Sequence, residues 1–121
     1  MAQRGGARYP RMARVNELVR EIVAEELERV DDERLDRVTV TQVVVDRDLE
    51  KAMVYFDSLR GPDADADVLD ALADHRVRLQ GAIGRQARLR RTPHLQFEAD
   101  EVARGAARID TILRDLHGDP P

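Results

Sequence analysis

Residues 38–58, VTVTQVVVDRDLEKAMVYFDS, decide the fold. Val38 to Val45 is dense in β-branched side chains and predicts a strand. Its apolar parity switches partway: Val38 and Val40 share one phase, Val43 and Val45 the other. Either both faces of the strand are partly covered or a bulge lies near Gln42. Asp46-Arg-Asp-Leu49 reads as a turn, and residues 50–58 as a second strand in which Ala52, Val54 and Phe56 alternate with Met53 and Tyr55. Two strands across so short a link predict an antiparallel hairpin.

Upstream, Met12, Val15, Leu18, Val19, Ile22, Val23, Leu27 and Val30 follow one helical stripe. They predict a helix over 11–30 that starts near Pro10, with residues 1–9 as a flexible basic arm. Downstream, Gly61-Pro62 marks a loop, and apolar spacing through Val68, Leu72, Leu79 and Ile83 predicts helix over 65–89, in one or two pieces. Asp63, Asp65 and Asp67 suit the start of that helix, where unpaired N–H groups and the dipole favour carboxylates. Gly81 and Gly84 weaken the helix or permit close packing. Thr92-Pro93 ends it, and His94 to Ala99 alternates as a third strand. Asp100 suits the cap of a last helix with the stripe Val102, Ala106, Ile109, Ile112, Leu113, Leu116, before a tail at 118–121. The order is α-β-β-α-(α)-β-α. Three strands with helices on one face, and a right-handed crossover from the second strand to the third, are the economical packing.

The chain has 121 residues, enough for one core, and four aromatic residues, too few for a broad base-stacking platform. It has no cysteine, which excludes disulfides and thiolate chemistry. No apolar run is long enough to span a bilayer, so a cytoplasmic protein is expected. The net charge of −4 argues against a nucleic-acid binder, but its distribution does not. Residues 1–14 carry +4, residues 15–74 carry −11, residues 75–97 carry +6 without one carboxylate, and residues 98–121 carry −3. Two basic blocks brought together would make one positive face.

Four stretches carry a likeness to a known family. They are Arg11-Met-Ala-Arg-Val15; Asp32-Glu-Arg-Leu35; Val44-Val-Asp-Arg-Asp-Leu-Glu-Lys-Ala-Met-Val-Tyr-Phe56; and Ile83-Gly-Arg-Gln-Ala-Arg-Leu-Arg-Arg-Thr-Pro-His-Leu-Gln-Phe97. In this order, over about residues 8–116, the chain resembles ribosome-binding factor A. The resemblance implies an α+β, type II KH-like fold with a C-terminal helix, as one domain over 10–117. It also implies a non-enzymatic factor that binds the immature small (30S) ribosomal subunit near the ends of its 16S rRNA. Such a factor assists late maturation and rRNA processing, and the family is tied to growth in the cold. The family bends its helix at an Ala-x-Gly, where this chain has His75, Arg76 and Val77. The helix then runs straight, or the bend moves to Gly81.

Arg85, Arg88, Arg90 and Arg91 are the first candidates for rRNA contact, with Arg76 and Arg78 beside them, because an arginine fork matches phosphate oxygens. Arg4, Arg8, Arg11 and Arg14 form the second group. The alternative function is a KH-like protein-interaction module that has lost nucleic-acid binding, using the acidic block against basic small-subunit ribosomal proteins. Asp46, Asp48 and Glu50, and likewise Asp63, Asp65 and Asp67, lack the glycine a calcium loop needs, so no metal is expected. His75, His94 and His117 are scattered, and Ser58, the only serine, has no nucleophile motif. No catalytic residue, cofactor or membrane partner is expected, and one small core suits a monomer.

Overall fold

The computed structural model describes residues 8–116, and side chains from residue 11. Helix α1 runs Arg8–Glu28, followed by a 3-10 turn at Glu33–Leu35, strand β1 at Val38–Val45 and strand β2 at Lys51–Ser58. After a second 3-10 turn at Pro62–Ala64 come α2, Asp65–Asp74, and α3, Arg76–Gln86. Strand β3 is His94–Ala99 and α4 is Glu101–Leu116. The sheet has the order β1-β2-β3. This is the expected α+β arrangement.

β1 and β2 form the antiparallel hairpin, in register from Val38 opposite Ser58 to Val45 opposite Ala52. The register shifts between Val40 and Gln42, so the parity switch is a bulge at Thr41. That extra residue returns Val43 and Val45 to the buried face beside Val40. β3 pairs in parallel with β2, from Lys51 opposite His94 to Phe56 opposite Ala99. The chain between them must cross over, and α2 and α3 make that crossing.

One core joins Val19, Ile22 and Val23 of α1 to Val43, Val54, Leu79, Ile83 and Leu95. A second lies under α2, where Phe56, Val68 and Leu72 meet Val30 and Leu35. Leu27 and Phe97 touch both. Asn16 Oδ1 accepts the Val45 N–H at 2.9 Å, which fixes the N-terminal half of α1 against the end of β1.

Four features differ from the sequence expectation. α1 begins at Arg8, not after Pro10, because proline is tolerated in a first turn whose N–H groups have no helical partner. The rest of the expected arm, residues 1–7, and the tail after Leu116 lie outside the described residues. The long helix breaks at His75 (φ −101°, ψ 9°) and not at Gly81. The break is held by distant partners: Asp32 accepts from the Arg34 side chain at 2.7 Å and lies 2.9 Å from His75 Nε2, while Arg34 also reaches Asp74 at 3.0 Å. The Arg34 guanidinium first, and then His75, hold the Asp32 carboxyl well below the usual carboxylate range. Asp65 and Asp67 lie in the first turn of α2, where the dipole favours them, but no side-chain cap bond forms there. Asp65 instead accepts two bonds from Arg104 of α4 at 2.7 and 2.9 Å.

The last difference is α4 itself. Asp100 caps it as expected, accepting the Ala103 N–H at 2.9 Å and the Thr41 hydroxyl at 2.5 Å. The bulge is what brings Thr41 to that cap. Yet the apolar stripe of α4 is not buried: none of its residues joins either core. Instead the side chain of Arg104 is covered, 8% exposed, held between Asp57 at 2.7 Å and Asp65. Bonding to Asp65 pushes its guanidinium above the ordinary range.

Candidate nucleic-acid interface

The N-terminus of α1, the β1–β2 turn, the C-terminus of α3 and the start of β3 meet at one end of the molecule. Three contacts establish this. Asn16 binds Val45 beside the turn. The His94 N–H donates to the Glu50 carbonyl at 2.8 Å. Met12, Val15, Leu49 and Leu89 pack against the same core cluster as Val45 and Ala87. At the other end of the helix pair, Arg78 Nε donates to Glu26 at 2.7 Å, so α1 and α3 run in opposite directions side by side.

Local sequence turns arginines outward at this basic pole. On α1, Met12 and Val15 face in, and Arg11 and Arg14 stay exposed. After α3 the chain becomes extended at Ala87 (φ −102°, ψ 140°). Side chains then alternate: Ala87, Leu89 and Pro93 are anchored, while Arg88, Arg90 and Arg91 point to solvent. Arg85 lies back along α3, where a Cβ on Gly81 would come within 3.2 Å of its guanidinium. The helix runs through Gly81 without a bend.

The structure brings Arg11, Arg14, Arg85, Arg88, Arg90 and Arg91 together. Arg91 reaches Glu50 at 3.3 Å; the other five make no ion pair among the described residues. Arg8 lies in the first turn of α1, but its side chain is outside the described residues, as is Arg4. Arg76 and Arg78 have other work. Arg76 Nε donates to the Leu95 carbonyl at 3.0 Å and its guanidinium stacks 5.5 Å from the Phe97 ring. Gln80, one turn on, accepts the Leu95 N–H at 2.9 Å. Both backbone groups of an edge-strand residue are thus held by α3. Arg78 neutralises Glu26, a carboxylate 8% exposed on its side chain, and holds it below its ordinary range.

Arg47, in the hairpin turn, and His94, opposite Lys51, join the pole as exposed residues. In the sequence Arg47 sits inside the acidic block; only the hairpin geometry places it here. Asp46, in the same turn, accepts the Glu50 N–H at 2.8 Å and so serves the turn itself.

The acidic block is paired in part. Glu17 pairs with Arg20, Glu26 with Arg78 and Arg29, Asp32 with Arg34, and Asp57 and Asp65 with Arg104. These pairs hold Glu26, Asp32 and Asp65 in place, while most other carboxylates of the block stay exposed and unpaired among the described residues, like the pole arginines. An exposed cluster of guanidinium forks, on a rigid frame and with few aromatic groups nearby, is suited to phosphate oxygens and to shape, not to base stacking. No group of His, Asp and Glu among the described residues could hold a metal ion, and no described helix is long and apolar enough to cross a membrane.

Comparison with known proteins agrees with this architecture. The family model of ribosome-binding factor A matches residues 11–113. A ribosome-binding factor A from Rubrobacter xylanophilus is 36% identical over 110 residues, which is 90% of this chain and 89% of that protein. The crystal structure of ribosome-binding factor A from Thermus thermophilus superimposes with a TM-score of 0.66 at 31% identity, over 73% of this chain and 93% of the other. A homology model of Thermus thermophilus ribosome binding factor A, as fitted into the cryo-EM map of a 30S complex, gives a TM-score of 0.60 at 30% identity, over 72% of this chain and 92% of the other. With the fold, the motifs and the matched length in agreement, the chain belongs to the ribosome-binding factor A family.

Proposed function

We propose that this chain is a non-enzymatic assembly factor that acts in the cytoplasm. It binds the 16S rRNA of the immature small ribosomal subunit through its basic pole and assists late maturation and rRNA processing. The observation that carries the reading is the convergence of Arg11, Arg14, Arg85, Arg88 and Arg90 on one end, unpaired among the described residues, in a chain of net charge −4. Membership of the family supports it, as does the structural likeness to a relative described in a 30S complex.

Phosphate contacts release counterions, so binding weakens steeply with salt. Five contacts to folded RNA give a log–log slope of about −4. The test is co-sedimentation of the purified chain with immature and mature small subunits at several salt concentrations. Retention on immature particles at low salt, with that slope, supports the proposal; no co-sedimentation at low salt overturns it. Incubation with precursor rRNA and divalent metal, with no cleavage product, is the expected outcome for a non-enzymatic factor.

A further inference from the structure

Helix α4 is mounted with its polar side toward the domain. At about 100° per residue, Val102, Gly105, Ala106, Ile109, Ile112, Leu113 and Leu116 fall within one arc of about 120°. Arg104 lies across the helix from that arc, and it is Arg104 that Asp57 and Asp65 clamp to the body. The clamp therefore turns the apolar stripe outward. Val102 is 82% exposed, Ile109 58% and Leu116 74%, and among the described residues nothing covers them. A helix docked on its own domain shows the reverse, a buried apolar stripe and a solvated polar face.

The stripe has heptad form. Val102, Ile109 and Leu116 recur every seven residues, with Gly105 and Ile112 at the intermediate core positions. It is also complementary to itself in one orientation. When two copies lie antiparallel with Ile109 beside the second copy's Ile112, the bare Gly105 provides the gap for the second copy's Leu116. Arg108 and Asp115 flank the stripe on the same side. In that register each Arg108 faces the other copy's Asp115, giving two reciprocal opposite-charge contacts about a two-fold axis. Neither residue takes an ion pair among the described residues.

We infer that α4 is a self-association surface, and that its occupant is the α4 of a second copy in an antiparallel, two-fold pair. A helix pair of this length buries less than the roughly 1,200 Å² of a stable interface, so the dimer is a weak, concentration-dependent one. α4 is rooted at the end of β3 away from the basic pole, so pairing makes no use of the pole arginines.

Sedimentation equilibrium of the full chain from about 5 to 500 µM tests this, a range chosen for a weak interface. Wild-type mass is expected to rise from that of the 13.7 kDa chain toward twice that value, while Ile109→Asp stays monomeric throughout. Because an aspartate in the stripe could also unwind the helix, the charge pair supplies a second measure. Arg108→Asp and Asp115→Arg each weaken association about 5–10-fold, and the double exchange restores it. A wild-type chain that is monomeric at every concentration overturns the inference. So does a double exchange no better than either single one. Protection of Met53 against oxidation in a monomer would instead assign the stripe to the open face of its own sheet, and would equally overturn the second copy as its occupant.

Discussion

His75 Nε2 lies 2.9 Å from Asp32 Oδ2, and this contact ties the α1–β1 connection to the break between α2 and α3. The bend between α2 and α3 is held by a tertiary cluster of Asp32, Arg34, Asp74 and His75.

Acid should act on this cluster. The folded Asp32 carboxyl is held below its unfolded value of about 3.9. Its contribution is therefore complete above that value and is lost as pH falls through it toward the depressed folded one. Asp100 follows the same sign, lowered by the Thr41 hydroxyl and then the Ala103 N–H. Urea midpoints are expected to fall between pH 6 and pH 3. Asp32→Asn should start lower at pH 6 and fall less steeply. A variant slope equal to the wild-type slope would exclude Asp32 as a source of the acid sensitivity.

Arg104→Ala should destabilise the domain by about 2 kcal/mol. A buried pair broken from one side costs more, but Asp57 is 42% exposed and its orphaned carboxylate rehydrates. Hydrogen exchange should show the amides of α4 losing protection before those of β2 and β3. Uniform loss across both would mean that the clamp does not specifically anchor α4.

Core truncation should separate buried from exposed positions sharply. Phe56 is fully buried at the base of α2, and Phe56→Ala is expected to cost about 3–5 kcal/mol. Leu59, three residues on and 82% exposed, should change stability by less than about 0.5 kcal/mol when cut to alanine. Chemical denaturation of both variants measures the contrast.

The arginines should divide into two classes. Arg88→Glu with Arg90→Glu is expected to leave the thermal midpoint within about 2 °C and to lower the salt slope of subunit binding by about 2. Arg76→Ala should do the opposite, lowering stability by about 1–2 kcal/mol because it frees the Leu95 carbonyl and the Phe97 ring, with the slope unchanged. Binding insensitive to the double reversal would move the interface away from the pole.

Local chemistry made the hairpin legible and narrowed the phase change in β1 to two readings, of which the register shift shows the bulge. The pole was legible as two carboxylate-free stretches, since antiparallel packing of α1 on α3 brings their ends together. What stayed hidden was non-local. The break at His75 depends on Asp32, 43 residues away, and glycine propensity pointed instead to Gly81. Arg76 and Arg78 look like their neighbours in sequence; only the edge of β3 and the carboxylate of Glu26 distinguish them. Arg104 interrupts no periodicity, so its burial, and with it the outward turn of the α4 stripe, could not be read from spacing.

The parallel pairing of β2 with β3 also orders events in time. A hairpin closes in roughly 1–10 µs, but β3 can join only after the intervening segment, residues 59–93, has crossed the sheet. The link from His94 to Glu50 is formed at that step, and it seats Arg88, Arg90 and Arg91 beside Arg11 and Arg14. A chain emerging during synthesis with α1 and the hairpin alone presents Arg11, Arg14 and Arg47 without Arg85, Arg88, Arg90 and Arg91. In the proposed interface the full arginine cluster is assembled only when this long-range contact forms, so RNA affinity is expected to report on completed folding.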